Sequence, residues 1–158
     1  MGIGPSTKET SLHHFRDPLV ELLGEDTDID FQGVVLVGTP QDNVDKYLVG
    51  TRAAQWIEGM RADGVILSAD GWGNSHVDFA NTWEELGKRG IPTVGVTFQG
   101  TQAAFVVKNK YMDTLVDINK SEAGIETEVV GENNVDELDA KKAIAFLKLK
   151  IRKMKSQK

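Results

Sequence analysis

The sequence predicts an α/β fold, a three-layer sandwich with a mainly parallel sheet, flavodoxin-like or Rossmann-like in type. Two observations predict it. Short apolar runs at residues 34–37, 65–67, 93–97 and 114–118 alternate with longer stretches of helical periodicity. That alternation is the signature of parallel strands joined by right-handed crossover helices. The chain is also the right size: 158 residues, 40% hydrophobic and 27% charged, bury one core as a single domain.

The elements follow in order. Residues 1–30 read as an N-terminal arm and a short helix; residues 31–158 read as one α/β domain. The arm holds Gly2, Gly4 and Pro5, and residues 15–23 can form the short helix with Pro18 in its first turn. Residues 25–30 are an acidic connector. Residues 34–37 (Val-Val-Leu-Val) are a continuous apolar run rich in β-branched residues, as in a strand buried on both faces. Thr39 can then cap a helix, Pro40 suits its first position and Asp42 its positive end. Val49, Ala53, Trp56, Ile57 and Met60 would form that helix's buried stripe.

The second strand, 65–67, opens into a loop, and Ser75 with Asp78 reads as the cap of the next helix. Phe79, Trp83 and Leu86 form its stripe; Gly87 and Gly90 help end it. Pro92 opens the third strand, 93–97. Residues 103–111 read as helical, with a strand at 105–107 as the alternative. Residues 114–118 are a fourth strand, and the alternation of Ile125, Thr127 and Val129 suggests an extended segment. Asn134 and Glu137 form a capping pair for a long basic last helix. Its stripe of Ala140, Ile144, Leu147, Ile151 and Met154 packs on the sheet or on a partner.

Charge is unevenly placed. Residues 141–158 carry eight basic and no acidic side chains, whereas the rest of the chain carries all 24 acidic ones. Cations toward the end of a helix complement its dipole. An acidic body repels phosphate backbones, so nucleic acid is not expected as a partner. No apolar run reaches the ~20 residues that span a bilayer, so no membrane role is expected. The N-terminus lacks the apolar core of a signal peptide, and a cytoplasmic location is the expectation. The chain has no cysteine, which excludes disulfides and cysteine-ligated zinc or iron–sulfur sites.

Ligands in open α/β sheets bind outside the carboxyl ends of the strands. Three loops should stand there, and Thr39, Ser75 and Thr101 sit where helices would begin, favouring a carboxylate or other anion. The richest loop follows residues 63–67: Ser-Ala-Asp-Gly-Trp-Gly-Asn-Ser-His over 68–76. Asp70 and His76 are candidates for an acid–base pair. The plainer reading makes Asp70 a loop brace and His76 a solvated first-turn residue. Trp72, between glycines, is a lid, an interface anchor or a core residue. His13 and His14 lack the companions a metal needs, and no metal site is expected. Lys8 could bind an anion. Dinucleotide, phosphate-loop and hydrolase motifs are absent.

Three segments resemble a known family: residues 2–18 (Gly-Ile-Gly-Pro-Ser-Thr-Lys through His-His-Phe-Arg-Asp-Pro), 63–76 (Asp-Gly-Val-Ile-Leu through Gly-Asn-Ser-His), and 124–134 (Gly-Ile-Glu-Thr-Glu-Val-Val-Gly-Glu-Asn-Asn). They are similar to the D-proline reductase proprotein subunits, in their C-terminal portion, and to short separate proteins related to them in proline reductase gene clusters. More distantly they resemble component B of glycine, sarcosine and betaine reductases. The resemblance implies reductive C–N cleavage of D-proline to 5-aminovalerate, in amino-acid fermentation (Stickland reaction) by strict anaerobes. In that family a cysteine-derived pyruvoyl group binds the substrate amine, and a selenocysteine on another subunit attacks the α-carbon.

This chain departs from that pattern. Without cysteine it can neither generate the pyruvoyl group nor supply a resolving thiol. The resemblance therefore implies a subunit or accessory paralogue whose partners, a selenoprotein and a pyruvoyl-containing chain, carry the redox groups; homo-oligomerisation is an added option. Asp70, Trp72, Asn74, Ser75 and His76 would face the pocket, with Thr39 and Thr101 at the same sheet edge. Lys8, His13 and His14 would lie near it or at an interface. The alternatives are a non-catalytic proline-binding, maturation or assembly protein, and a flavodoxin-like binding module.

Overall fold

The computed structural model describes residues 17–69, 74–101, 105, 107–125, 132 and 134–156. Among them, α1 (Pro18–Glu25), α2 (Asn43–Gly59), β1 (Val65–Ser68), α3 (Asn74–Lys88), β2 (Thr93–Thr97), β3 (Leu115–Asp117) and α4 (Glu137–Lys155) follow in chain order. The strands form a parallel sheet in the order β1-β2-β3, with Val65 opposite Thr93 and Gly95 opposite Leu115. The expected α/β architecture, a parallel sheet flanked by helices, is the one observed.

The pleat of β2 assigns the layers, because alternate residues point to opposite faces. Val94 and Val96 share a core with Val116, Ile118, Ala140, Ala143 and Leu147, so α4 covers that face. α1 packs on α4, with Leu19 in the same core. Gly95 points the other way. A methyl group there would come within 2.3 Å of the Trp83 ring on α3, so the missing side chain is what lets the indole lie on the sheet. α2 packs beside α3 on this second face.

Several expectations need correction. Residues 34–37 are not a strand of the sheet: they run through irregular backbone, with Val34 61% and Leu36 92% exposed. β-propensity describes fitness for a paired, half-buried surface, and no described strand lies beside them to pair with. Of the expected α2 stripe, Ala53 is buried and Val49 and Ile57 are partly buried, but Trp56 is 68% and Met60 43% exposed, and Lys46, Gly50 and Ala54 are buried instead. Gly50 sits so close to Asn81 and Thr82 that small residues, not bulky ones, set the α2–α3 contact. Residues 105 and 107–111 are not helical.

The caps lie further along the chain than expected. Asp42, not Thr39, caps α2, its carboxylate accepting from Val44 N at 2.8 Å. Helix α3 already includes Ser75, so Ser75 is not its cap. Asp136 with Asp139 forms the capping box of α4 in place of Asn134 with Glu137. In the α2 and α4 cases an aspartate nearer the helix displaces the candidate.

The basic tail is answered within the chain. Lys148 of α4 reaches Asp26 at 2.7 Å and Asp28 at 3.1 Å, Lys150 reaches Asp113 at 2.5 Å, and Lys155 reaches Asp63 at 3.1 Å. The acidic connector after α1 thus meets the cations of α4. The Lys148 ammonium beside Asp26 holds that carboxyl below its usual value.

Candidate functional site

The carboxyl ends of all three strands point to one edge, and the polar connections there are tied together. Asp117, the last residue of β3, accepts from Gln99 N at 3.0 Å, Gly100 N at 2.8 Å and Asn119 N at 3.0 Å. One carboxylate therefore shapes both its own loop and the loop after β2. Thr101 continues the seam, donating to Gly124 O from its amide at 2.6 Å and its hydroxyl at 3.0 Å. Gly100 has φ of +59°, and a Cβ there would meet Gly124 O at 2.4 Å, so glycine is required by both conformation and space. Lys120 then ties this loop to the start of α4 through Asp139 and the carbonyls of Ile118 and Asn134.

The amino ends of α2 and α3 reach the same edge, joined by a buried ion pair. Lys46 Nζ lies 2.5 Å from Asp78 Oδ2, with the two side chains 1% and 7% exposed. Removing two charges from water is expensive and is offset only by close pairing. Asp78 Oδ1 has no hydrogen-bond partner.

His76, in the first turn of α3, is 3% exposed. Its ring lies 4.8 Å from Phe105, which stacks on Phe79 at 5.9 Å. Among the described residues neither ring nitrogen has a hydrogen-bond partner, and burial pushes its pKa below the usual histidine value. A neutral imidazole with one donor and one acceptor unused is equipped to bind a polar ligand. The solvated reading of His76 is corrected, because Phe105 reaches it from the loop after β2. Thr97 at the end of β2 is also fully buried, with a hydroxyl that has no partner.

The other sequence candidates fall into three groups. Asn74 and Ser75 open α3 beside His76, and Thr101 lies in the braced loop. Thr39 is exposed in the connection before α2, away from any helix start. Asp70, Trp72, Lys8, His13 and His14 lie outside the described residues. Sequence reasoning missed Lys46 and Asp117. Asp-Ile-Asn-Lys-Ser at the end of an apolar run is an Asx-turn signal that points to Asp117; nothing local points to Lys46.

A cavity of ≈ 240 Å³ lies at the opposite edge, lined by Glu58, Arg61, Asp63, Arg89, Ile91 and Lys155 among others. Arg89 there is engaged by Glu58 and Glu85. Among the described residues no cluster of His, Asp and Glu could hold a metal ion, and no helix is long and apolar enough to cross a membrane.

The family model for glycine/sarcosine/betaine reductase component B subunits matches residues 2–142. The D-proline reductase proprotein PrdA of Acetoanaerobium sticklandii is 46% identical over 149 residues, which are 94% of this chain and 24% of that protein. The sarcosine reductase complex component B subunit alpha of Peptoclostridium acidaminophilum is 26% identical over 97 residues, 60% of this chain and 23% of that protein. The chain thus spans about a quarter of the length of the curated relatives it matches. No solved structure matches it.

Proposed function

The chain belongs to the family of glycine, sarcosine and betaine reductase component B subunits, and from that premise we propose that it is a subunit or accessory paralogue of a D-proline reductase-type complex. The observation that carries this reading is the 46% identity to a D-proline reductase proprotein across 94% of the chain. The reaction would be reductive ring cleavage of D-proline to 5-aminovalerate in the cytoplasm of an amino-acid-fermenting anaerobe.

The groups that perform such chemistry do not fit this chain. With no cysteine anywhere, it has no precursor for a cysteine-derived pyruvoyl group and no thiol to return electrons. Those groups, with selenocysteine, are assigned to partner chains. What this chain offers is shape and polarity at the strand-end edge. Burial holds the His76 pKa below the usual histidine value and so favours the uncharged imidazole at this edge. Asn74 and Ser75 would stand beside it, with Asp70 and Trp72 completing the loop and Lys8, His13 and His14 at the periphery. The tied loops around Asp117 and Lys120 keep that edge in one geometry.

Affinity-tagged chain, expressed in an anaerobe that reduces D-proline, should co-purify with a selenoprotein and a pyruvoyl-bearing chain. Deleting its gene should lower 5-aminovalerate formation. A chain that purifies alone, together with undiminished reduction after deletion, overturns the reading. The missing cysteine also favours a second role, in maturation or assembly of the complex. Calorimetry with D- and L-proline separates the two. Selective binding of D-proline supports the pocket role. No binding, with loss of the partner's pyruvoyl group on deletion, supports maturation.

A further inference from the structure

Among the described residues the sheet ends at β1, and the chain carries an apolar run at 34–37 that is in no strand. Along residues 65–67 the outer edge of β1 pairs with no strand among the described residues. Val65, Ile66 and Leu67 are all only partly buried, whereas central β2 is buried throughout. Helix α2 lies beside α3 with large apolar side chains in solvent: Val44 (73% exposed), Leu48 (45%), Trp56 (68%) and, at its C-cap, Met60 (43%), with the exposed Arg52 between Leu48 and Trp56. Residues 34–37 are apolar and rich in β-branched side chains, with Val34 and Leu36 exposed and Val35 and Val37 half-buried. No backbone hydrogen bond joins them to another described segment.

Handedness says where that strand belongs. β1 leads through α3 to β2 on one side of it. A segment that leads to β1 through α2, a helix on the same face as α3, must lie on the other side if its crossover is also right-handed. That position is the free edge of β1. In the single chain, residues 34–37 are not there.

We propose that the edge is filled by residues 34–37 of a second copy, the two copies exchanging strands reciprocally. Each chain holds both the acceptor edge and the donor strand, which makes the contact self-complementary under a two-fold axis. The area is sufficient. Val34, Leu36, Val44, Tyr47, Leu48, Trp56 and Met60 together expose roughly 800 Å² when large side chains are taken as about 150–250 Å² each, matching the ~800 Å² per partner of a stable interface. Backbone pairing would add affinity to that apolar contact.

Light scattering across the micromolar range should give the mass of two 158-residue chains. Hydrogen exchange should show protected amides at both 34–37 and 65–67. Leu36→Asp and, separately, Trp56→Arg should each weaken association by at least about tenfold. Both positions are mostly exposed in the single chain, so far-UV circular dichroism should stay unchanged. A monomer at every concentration overturns the proposal, including one whose 34–37 amides are protected by its own β1. A dimer indifferent to both substitutions also overturns it. None of these readouts depends on D-proline reduction.

Discussion

Replacing Lys46 by methionine should destabilise the fold by about 3–5 kcal/mol, the cost of stranding a charge inside a protein. Asp78 is 7% exposed, Lys46 Nζ lies 2.5 Å from its Oδ2, and its Oδ1 has no partner. Methionine keeps most of the lysine stem's volume, so lost packing is a small part of the effect. For a chain of this length the melting temperature should fall by on the order of 10 °C. The double variant Lys46→Met/Asp78→Leu removes both charges and should return stability to within about 1 kcal/mol of the parent, or above it. Urea unfolding followed by circular dichroism measures all four corners of this cycle. A cost below about 1 kcal/mol for the single change would mean that the pair is solvated like a surface bridge, and that it does not clamp α2 to α3.

Gly95→Ala should cost at least about 1–3 kcal/mol, because its Cβ would fall 2.3 Å from the Trp83 ring; quenched or shifted tryptophan fluorescence should accompany the loss. Asp117→Ala removes the acceptor for three backbone amides and should cost about 2 kcal/mol, with faster hydrogen exchange at Gln99 and Gly100; unchanged exchange there refutes the bracing role. His76 gives a pH signature with a defined sign. Its folded pKa lies below the unfolded value, so its share of stability is complete above about pH 6.5 and declines as pH falls below it. His76→Gln should flatten urea midpoints between about pH 7 and 5, a window above the one where Asp26, also lowered, loses its pairing with Lys148.

The sheet was legible where apolar runs found neighbours. Residues 65–67, 93–97 and 114–118 all became strands within a residue or two. Residues 34–37 carry the same signal and are not paired, because an apolar run encodes a preference for pairing and not a partner. Helix α2 failed differently. Periodicity selected Trp56 and Met60 alongside Ala53; of these three only Ala53 is buried, and Gly50 and Ala54 complete the buried face. Small residues allow close helix approach but carry little hydrophobic weight, so a pattern search passes over them.

The site was legible as a place and less so as a set of atoms. His76 and its loop follow a strand, which sequence can show. Its burial depends on Phe105, which comes from a different strand-end loop. Nothing in the local sequence singles out Lys46, a charged residue near the start of α2. Its partner stands 32 positions away, and only the parallel packing of α2 and α3 brings them together.

The two helical layers differ in a way that bears on function. The α4 side holds the larger core, and its Lys148, Lys150 and Lys155 are met by Asp26, Asp28, Asp113 and Asp63, although Leu138, Phe146 and Leu149 of α4 stay exposed. The α2 side keeps large apolar residues in water, at an energetic cost of about 25 cal/mol per Å² that burial would recover. The Lys46–Asp78 pair sits between that open layer and the edge where His76 lies buried. A chain docking on α2 would therefore press on the helix that Lys46 clamps to α3, two residues from His76. The ion pair thus joins the helix that carries the exposed apolar side chains to the helix that carries His76.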